Sequence, residues 1–568
     1  MSLRNRFVLV FALSFLAALA GCGSSSNSAT PPPTGGFSNS NLSGTYVFSF
    51  SGSDFTATSS VSGTSFFSAA GTLTANGSGG LTGTIDLIDP ELGQVLTVSA
   101  VQTGLSVTGN YSVTSDGRGS GTISFKVGST TVPMGIDFVL TSNSHGLITR
   151  FDSNGTGSGT LDAQSSGITQ SGLTGSFAFG LSGTDSSGNP LGSVGTFTLD
   201  ANGNVTSGSQ DFNDNGNSSN LQNLSFLSPS TVTVAATPGS AQLTTSVTAY
   251  GTNGTMTFDV WPVDASHLKF IEIDGTEYLT GDAFSSTGQS FPAGTLVFTM
   301  AGVDITPAPF AAGGLLTSDG SSTISGGLED INDAGNVGQA PSINGGIASA
   351  GGRTVLTLNG IYNGGWGGTS PTEAGNYAFA AYPYTYNGAV GVELLEIDGA
   401  GGITAGTAYL QSSTSIAASQ GYGLNLSGEN TNGEADLIAE FTTTSTSATG
   451  LYDVNNSAGL LISDYSLGSS ATYSTGTNGR GTFAFPNLQT NNTNSVIGAL
   501  NFTYYTVDSS TAVFIETDTS ATAGNPQVAV GTFQLQNSSS ADLKAAALPH
   551  FSMVGAGKVG AKRPANKK

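Results

Sequence analysis

Alternating apolar and small polar positions dominate this chain and predict short β-strands. Tyr46, Phe48 and Phe50 alternate with smaller residues, and the segment 177–181 repeats the pattern with Phe, Phe and Leu. A period of two is typical of a strand with one buried face. No long stretch places apolar residues at helical spacing. The pattern therefore predicts an all-β protein.

Short motifs recur along the chain at intervals of about 120 residues. The clearest copies are LKFIEIDG (Leu268–Gly275), VELLEIDG (Val392–Gly399) and AVFIETDT (Ala512–Thr519), with GLITRFDS (Gly146–Ser153) as a weaker first copy. The aspartates that close these copies are Asp152, Asp274, Asp398 and Asp518. Repetition at a fixed period indicates a tandem array of similar units.

Two further series of residues keep the same order in every unit. A second set of aspartates is Asp86, Asp211, Asp330 and, less regularly, Asp453. A glycine near the end of each unit is Gly159, Gly281, Gly406 or Gly531. Landmarks that recur in one order indicate four units.

Each unit has room for roughly eight strands joined by short turns, which favours an antiparallel meander. Closing such a sheet removes its exposed edges. We expect closed or strongly curled eight-stranded barrels, with the first and last strands of each unit as neighbours. They resemble lipocalin or avidin architecture at the level of fold alone. Immunoglobulin-like β-sandwiches are the alternative. The predicted β units are 42–166, 173–288, 289–412 and 413–538.

The N-terminus has the organisation of a secretory signal. Arg4 and Arg6 precede the segment Phe7–Ala20, which is apolar apart from Ser14 and too short for a comfortable membrane span. Leu19-Ala20-Gly21-Cys22 then resembles the lipobox of bacterial lipoprotein precursors. The resemblance implies removal of residues 1–21 and lipidation of Cys22, whose acyl chains would anchor the protein to a membrane. Cys22 is the single cysteine, so no intramolecular disulfide is possible.

The segments that flank the β units are expected to be disordered. Residues 22–41 are rich in Ser, Asn, Pro and Gly and are typical of a tether. Residues 539–568 form a basic tail. By the same lipoprotein resemblance, Gly23 after the cysteine favours the outer membrane. We therefore expect a cell-envelope protein that is periplasmic or exposed at the surface.

The charge excludes one class of partner. The formal net charge is −23. Between Cys22 and Leu543 the basic residues are Arg118, Lys126, Arg150, Lys269, Arg353 and Arg480. Nucleic-acid backbones are held by clustered Lys and Arg, so nucleic-acid binding is not expected. No motif indicates a cofactor.

Paired carboxylates are the first candidate chemistry. Glu272 with Asp274 lie two residues apart on one strand face, and Glu396 with Asp398 and Glu516 with Asp518 repeat the pair. Such a pair could bind a metal or work as an acid and base. The alternative is a solvated strand face ending in a turn. Arg150 replaces the glutamate in the first unit, which argues against chemistry common to all units.

A weak calcium-loop candidate lies in the second unit. Asp211, Asn213, Asn215 and Gln222 have the spacing of a calcium loop, although no helices flank them. A polar hairpin turn explains the same residues.

The histidines give little support for nucleophilic catalysis. His145 and His267 follow Ser144 and Ser266 in matching turns, and units 3 and 4 have no histidine there. We expect both to be exposed hairpin residues.

These features favour a surface-anchored lipoprotein that binds or adheres to a glycan, an envelope polymer or an extracellular polymer, and not an enzyme. Aromatic residues that could stack on sugars as exposed rings are Trp261, Tyr382, Tyr384, Tyr504 and Tyr505, with Trp366 in a Gly-rich loop. Packing inside the protein is the alternative for these rings. Alternative functions are a structural envelope spacer without a ligand and a carboxylate-dependent glycoside hydrolase.

Overall fold

The structure is a computed structural model. It describes residues 36–55, 66–215, 221–234, 236–304, 308–340, 342–350, 353–362, 374–399, 402–430, 433–456, 461–468, 471–485, 500–518 and 527–537. The predicted signal peptide, Cys22, Trp366 and the predicted basic tail lie outside these residues. Short 3-10 helices cover Asn39–Asn41, Gln170–Leu173 and Thr477–Gly479.

Unit 1 is a closed barrel of eight antiparallel strands in sequence order. Its strands are β1 (Ser43–Asp54), β2 (Phe66–Asn76), β3 (Gly80–Ile88), β4 (Val101–Val113), β5 (Arg118–Val127), β6 (Thr130–Leu140), β7 (His145–Asp152) and β8 (Gly155–Ala163). Strand β8 pairs with β1, which closes the barrel.

Unit 2 is a curled nine-stranded sheet. Its strands are β9 (Gly175–Asp185), β10 (Pro190–Leu199), β11 (Val205–Asp214), β12 (Leu224–Ser225), β13 (Thr231–Thr233), β14 (Gly239–Thr244), β15 (Thr255–Asp264), β16 (His267–Glu272) and β17 (Glu277–Ser285). Strand β17 pairs with β9. A single bridge between Asn204 and Thr231 links the remaining edges.

Unit 3 also closes, because β19 pairs with both β18 and β20. Its strands are β18 (Ala293–Val303), β19 (Pro309–Asp319), β20 (Thr323–Asp333), β21 (Asn336–Ala340), β22 (Asn344–Ala350), β23 (Arg353–Tyr362), β24 (Ala374–Tyr386), β25 (Ala389–Glu396) and β26 (Ile403–Leu410).

Unit 4 is a curled nine-stranded sheet like unit 2. Its strands are β27 (Gly421–Asn430), β28 (Gly433–Thr443), β29 (Ala448–Asn456), β30 (Leu461–Ser466), β31 (Thr472–Thr475), β32 (Arg480–Phe485), β33 (Leu500–Thr506), β34 (Thr511–Glu516) and β35 (Val528–Leu535). The prediction of four all-β units with adjacent first and last strands is confirmed, and the units are barrels or curled sheets in place of sandwiches.

The units differ most after their third strand. Units 2, 3 and 4 carry a short extra strand there (β12, β21 and β30), whereas unit 1 carries the helix α1 (Pro90–Leu96). Proline in the first turn and the Asp89 side chain, which accepts the Leu92 N–H at 2.8 Å, start this helix. Thr97 ends it in a left-handed conformation.

Each unit has its own apolar core. The alternating residues of β1, Tyr46, Phe48 and Phe50, are buried inside barrel 1. Corresponding clusters fill units 2, 3 and 4. Gly159 lets β8 approach β1 closely, because a Cβ there would lie 1.8 Å from the Ser49 carbonyl oxygen. Gly281 does the same between β17 and β9, at 1.9 Å from the Gly180 oxygen.

The four units contact one another in a ring. Separate apolar clusters join unit 1 to unit 2, unit 2 to unit 3, unit 3 to unit 4 and unit 4 back to unit 1. Val47, which lies between two core-facing residues of β1, is therefore buried as well and packs against unit 2. A contact that repeats head to tail and returns to its start makes a closed ring with approximate fourfold symmetry.

Both ends of the described chain lie at the same end of the barrels, here called the tether end. The Phe37 N–H donates to the Ser115 carbonyl at 3.0 Å, and the Asn537 N–H donates to Thr141 at 2.6 Å. Phe37 is buried in the core of barrel 1, so residues 36–41 of the predicted tether pack on the barrel. The opposite end, here called the far end, carries the turns at 152–155, 185–189 and 274–277, and Asp398.

Candidate functional site

The repeated aspartates of the third strands lie at the interfaces between units. Asp86 of unit 1 accepts the Trp261 indole N–H of unit 2 at 2.9 Å. Asp211 of unit 2 accepts the Tyr382 hydroxyl of unit 3 at 2.5 Å. In each case the donor comes from the next unit in the ring.

The 3–4 interface has the same aspartate with two donors. Asp330 of unit 3 accepts the Tyr505 hydroxyl and a bidentate ion pair from Arg480, both of unit 4. The Arg480 nitrogens lie 2.7 and 2.8 Å from the two carboxylate oxygens. Bidentate pairing fixes orientation as well as distance. The ion pair therefore fixes the orientation of unit 4 relative to unit 3 at this interface.

An arginine that begins a strand recurs at three interfaces. Arg480 begins β32, Arg353 begins β23 and Arg118 begins β5. Arg353 pairs with Asp211, and Arg118 reaches Asp453 of unit 4 at 3.4 Å. Because Arg118 belongs to the first unit and Asp453 to the last, this pair closes the ring.

An asparagine two residues after the aspartate makes a third repeated contact. Asn213 donates to the carbonyls of Glu396 and Gly402 at 3.0 and 3.1 Å. Asn332 donates to those of Glu516 and Gln527 at 3.0 and 2.9 Å.

Asn455 makes the same contact from unit 4 to the Gly155 carbonyl of unit 1, at 2.7 Å. Unit 1 has Ile88 at this position, and Ile88 packs in the apolar cluster of the 1–2 interface. The triplet Asp-x-Asn is thus the sequence signal of these interfaces, and it was readable in units 2, 3 and 4.

The 1–2 interface is built around a buried lysine. Lys269 of unit 2 lies 3.3 Å from Asp162 of unit 1 and 3.0 Å from Asp282. Burial works to lower the pKa of Lys269, but the two carboxylates outweigh it and raise the pKa. Burial likewise works to raise the pKa of Asp162, yet Lys269 and His145 lower it. The lysine is therefore charged and paired across the interface.

The histidines flank this lysine, and the expectation that they are exposed is wrong. His145 is 4% exposed and lies 2.6 Å from Asp162, and His267 is fully buried 2.6 Å from Asp282. The Ser144 hydroxyl lies 3.1 Å from Ser142. The histidines therefore stabilise the interface, and the arrangement resembles no nucleophile with its base.

The 4–1 interface is rich in carboxylates. Asp436 of unit 4 accepts hydroxyl hydrogen bonds from Thr156 and Ser158 of unit 1 at 2.8 and 2.9 Å. Glu434 accepts one from Ser53 at 2.6 Å. Burial raises the pKa of Asp436 to about 6. Burial, with Asp436 as the second cause, also raises the pKa of Glu434 well above its usual value.

A small cavity lined by apolar and polar side chains lies where units 1, 3 and 4 meet. It has a volume of about 40 Å³, which is room for about three water molecules. Its lining includes Thr299, Thr407, Asn425 and Gln534, and both amide atoms of Gln534 are buried with no hydrogen-bond partner among the described residues. The cavity is far below the size of ordinary ligand pockets.

The interiors of the barrels are filled as well. The cavity found inside barrel 1, beside Tyr46 and Phe138, has a volume of about 10 Å³. This is the space of a single water molecule. Aromatic pairs such as Phe177 with Phe197, with centroids 5.6 Å apart, occupy the corresponding space in unit 2. Side chains therefore fill the described interior of barrel 1 beside Tyr46 and that of unit 2 beside Phe197.

The paired carboxylates lie at the far end. The interpretation as a solvated strand face is wrong for the glutamates, because Glu272, Glu396 and Glu516 are at most 3% exposed. Burial raises the pKa of Glu396 to about 8, and Asp398 adds to this. In unit 1, Arg150 stands two residues before Asp152 and pairs with Asp54 at 3.0 Å.

The calcium-loop residues lie at the 2–3 interface and have protein partners there. Asp211 pairs with Arg353, and Asn213 binds carbonyls of unit 3. The Gln222 amide donates to the Ile397 carbonyl at 2.8 Å and accepts from Arg353 at 3.1 Å. Asn215 has a positive φ of 48° in the turn. The structure thus gives three of these four residues contacts across the interface.

The hypothesis that exposed aromatic rings stack on sugars is wrong for the described candidates, and the packing that the sequence also allowed is found. Trp261, Tyr382, Tyr384, Tyr504 and Tyr505 are all at most 3% exposed. Tyr384 stacks on Phe284 of unit 2 with ring centroids 4.6 Å apart, and Tyr504 stacks on Tyr473 inside unit 4 at 5.5 Å. The rings pack within units and between units and are not available for stacking on a sugar.

Comparison with known proteins gives no family. No family model matches the chain, and no curated protein matches it. Among solved structures, a double mutant of the vaccine antigen Transferrin Binding Protein B from Haemophilus parasuis Hp5 shares 9% identity over 70% of this chain and 86% of its own, with a TM-score of 0.19.

A single mutant of the same antigen shares 10% identity over 69% of this chain and 83% of its own, with a TM-score of 0.18. Intact Ap-TbpB, with N and C lobes, shares 8% over 69% and 84%, with a TM-score of 0.16. Scores this low carry no argument about this chain. Within its described residues, the chain has no helix with the length and apolar character needed to cross a bilayer.

Proposed function

We propose that this protein is a lipid-anchored envelope protein that uses the outer surface of its four-barrel ring to bind or adhere to a glycan or polymer. The filled barrel interiors carry the proposal, because they leave the outside of the ring as the place for contacts with a partner. The outer membrane is the proposed location, through lipidation of Cys22.

The position of the chain ends supports an orientation on the membrane. Residue 36 and residue 537 both lie at the tether end. A lipid on Cys22 would therefore hold this end toward the bilayer and present the far end outward. The far end carries partly exposed aspartates, namely Asp152, Asp185, Asp214, Asp274 and Asp398. A partner at that end would meet a negatively charged surface.

The anchor is tested by replacing Cys22. The Cys22→Ser protein should lose palmitate labelling and move from the membrane fraction to the soluble fraction, whereas Ser25→Ala should stay with the membrane. Unchanged labelling and fractionation of Cys22→Ser would overturn the placement.

Binding is tested with the unlipidated Cys22→Ser protein on a panel of glycans and purified envelope polymers. Ser187→Arg adds a bulky side chain at an exposed far-end position, and Ser321→Arg does so at an exposed tether-end position. We expect saturable binding to a panel member that Ser187→Arg weakens and Ser321→Arg does not. Binding that responds only to Ser321→Arg would contradict the orientation.

A structural spacer without a ligand is the second candidate. It is favoured by the four interfaces, since each of them contains a basic residue paired across two units, which makes the ring one packed body. The absence of binding to any panel member would favour this function over adhesion.

A further inference from the structure

Three carboxylates of unit 2 converge at the far end, in the turn between β16 and β17. Glu272, Asp274 and Glu277 each place one oxygen within 4.8 Å of the others. Oxygens around one calcium ion lie 2.3–2.6 Å from it, so two of them are at most about 5 Å apart. Among the described residues this is the one place where three such groups meet. The spacing fits one coordination shell.

The protein holds these carboxylates in position. Asp274 accepts the Thr257 N–H at 2.8 Å, and Glu277 accepts the Gly251 N–H at 2.8 Å. Glu272 accepts the Leu279 N–H at 3.2 Å through Oε2. These bonds come from three different parts of the unit, so the cluster does not depend on the conformation of one turn.

One oxygen of Glu272 has no N–H or O–H donor among the described residues, and its side-chain neighbour is the carboxyl of Glu277. The Glu272 side chain is fully buried, and Oε1 receives no hydrogen bond from the described residues. No Lys, Arg or His within those residues forms an ion pair with Glu272, Asp274 or Glu277. Two buried carboxylates in contact repel each other unless a proton or a cation lies between them. The contact of Glu272 with Glu277 therefore points to an occupant of the cluster.

Unit 1 shows what occupies the equivalent place. Arg150 stands two residues before Asp152, as Glu272 stands two residues before Asp274. Asp54 pairs with Gly155 across the barrel seam, as Asp185 pairs with Glu277. Unit 1 thus has a cationic side chain where unit 2 has an acidic one.

The guanidinium of Arg150 fills this place in unit 1. It lies 3.0 Å from Asp54 and 3.3 Å from Asp152. A Cβ on Gly155 would lie 2.4 Å from the Arg150 guanidinium carbon, so glycine makes room for it. In unit 2, Glu277 stands at the position of Gly155 and Glu272 at that of Arg150. Among its described residues, unit 2 therefore has no guanidinium between the carboxylates at this place.

We propose that Glu272, Asp274 and Glu277 bind one calcium ion, which takes the place that the Arg150 guanidinium has in unit 1. Calcium fits better than magnesium, because oxygens held by separate backbone bonds suit its flexible coordination, whereas magnesium requires near-octahedral geometry. Asp274 is half-buried and Gly275 is exposed, which gives the ion a path from solvent.

The proposal is tested by calcium calorimetry on the purified full-length protein after removal of metal with a chelator. We expect one ion per chain with a Kd on the order of 10⁻⁴ M, in the range of extracellular calcium modules. Glu272→Gln and Glu277→Gln should each weaken binding by about tenfold or more, because each removes one charged ligand. Calcium should also raise the Tm of the unaltered protein and not that of these variants.

Glu396→Gln is the matched control. Glu396 has the same position relative to Asp398 in unit 3, but no third carboxylate completes a cluster there within the described residues. This variant should bind calcium like the unaltered protein. Should Glu272→Gln fail to fold, Glu277→Gln, judged by its circular dichroism with chelator, decides alone.

Two results would overturn the proposal. One is the absence of saturable heat up to about 10 mM calcium, in which case the carboxylates share a proton. The other is binding that both unit 2 variants leave unchanged. Neither result depends on the lipid anchor or on a polymer partner, so failure here is distinct from failure of the proposed function.

Discussion

The 3–4 and 4–1 interfaces use the same repeated aspartate in different surroundings. Across its interface Asp330 accepts both Arg480 and Tyr505, whereas Asp453 accepts Arg118 across its own interface and the Asp464 N–H from within unit 4. Arg118 is moreover shared with Asp116 and Asp464, at 3.1 and 2.8 Å. At the 4–1 interface one arginine is therefore shared among three aspartates, whereas at the 3–4 interface one aspartate receives an arginine and a tyrosine.

The difference follows from one position on the third strand from the end of each unit, namely β6, β15 and β33. Unit 4 has Tyr505 there and unit 2 has Trp261, whereas unit 1 has Val139, which packs on Leu147 and Ile438. An apolar residue cannot donate to the aspartate of the preceding unit. The comparison teaches that a repeated interface can keep its shape while its electrostatics change.

The largest effect is expected from pH at the 4–1 interface. Burial raises the pKa of Asp137 to about 8, with Asp453 and Asp464 adding to this and Arg118 opposing it. Burial also raises the pKa of Glu440 to about 8, with Asp116 adding and Arg118 opposing. Unfolded carboxyls have pKa values near 4. The folded protein therefore keeps these two protons up to about pH 8, whereas the unfolded chain loses them near pH 4. The free energy of unfolding is highest below about pH 4, falls as the pH rises, and has lost this contribution above about pH 8.

A shift of four units in one such group is worth on the order of 5 kcal/mol. Urea unfolding between pH 5 and pH 9 should show this loss, and the variant Asp137→Asn/Glu440→Gln should flatten the profile. An equally steep profile in the variant would show that other groups control the pH dependence.

The second effect is expected at the 3–4 interface. Asp330→Ala removes the acceptor of Arg480 and Tyr505 and leaves both donors unpaired, which should cost about 3 kcal/mol. The measurement is the free energy of unfolding in urea at pH 6. Lys126→Ala, at an exposed position, is the control and should stay within about 0.5 kcal/mol. Equal losses in the two variants would contradict the role of Asp330.

A smaller effect is expected at the 1–2 interface, where Trp261 is the donor. Trp261→Phe keeps an aromatic ring but leaves the buried Asp86 without the indole N–H, at a cost of about 2 kcal/mol. Burial, with the nearby Asp259, already raises the pKa of Asp86 to about 7. A double-mutant cycle with Asp86→Asn should give a coupling above about 1 kcal/mol. Additive losses would show that the indole works through packing alone.

The smallest effect is expected from the asparagine contacts. Asn332→Ala leaves the Glu516 and Gln527 carbonyls of unit 4 without their side-chain donor, which should cost about 1 kcal/mol. Hydrogen exchange should become faster in β34 and β35 and stay unchanged in β1 and β8. Faster exchange throughout the chain would mean that the contact stabilises the whole ring.

The pattern of alternation was sufficient for the architecture of each unit. Tyr46, Phe48 and Phe50 face the core of barrel 1 because every second side chain of a β-strand points to the same face. The closing glycines, such as Gly159, marked where the last strand crosses the first. The period of about 120 residues set the number of units. All of this is local or repeated information, and the sequence contains it directly.

The contacts between units could not be read in the same way. His267 and Lys269 occupy a strand whose outer face would be solvated in an isolated barrel, but here it is buried against unit 1. Trp261 and Tyr382 likewise meet aspartates that lie 175 and 171 residues away along the chain. The alternation of apolar and polar residues shows which face of a strand packs in the core of its own unit. It does not show whether another unit covers the opposite face.

By itself the sequence determined an all-β chain of four repeated, barrel-forming units, with a lipobox-like segment before them. Only the tertiary structure decided that the units close into a ring, that the repeated aspartates and the aromatic residues meet at its interfaces, and that three carboxylates of unit 2 converge. The physical reason is that strand alternation and turns are encoded between near neighbours. The burial of charges instead depends on which distant surface excludes the water.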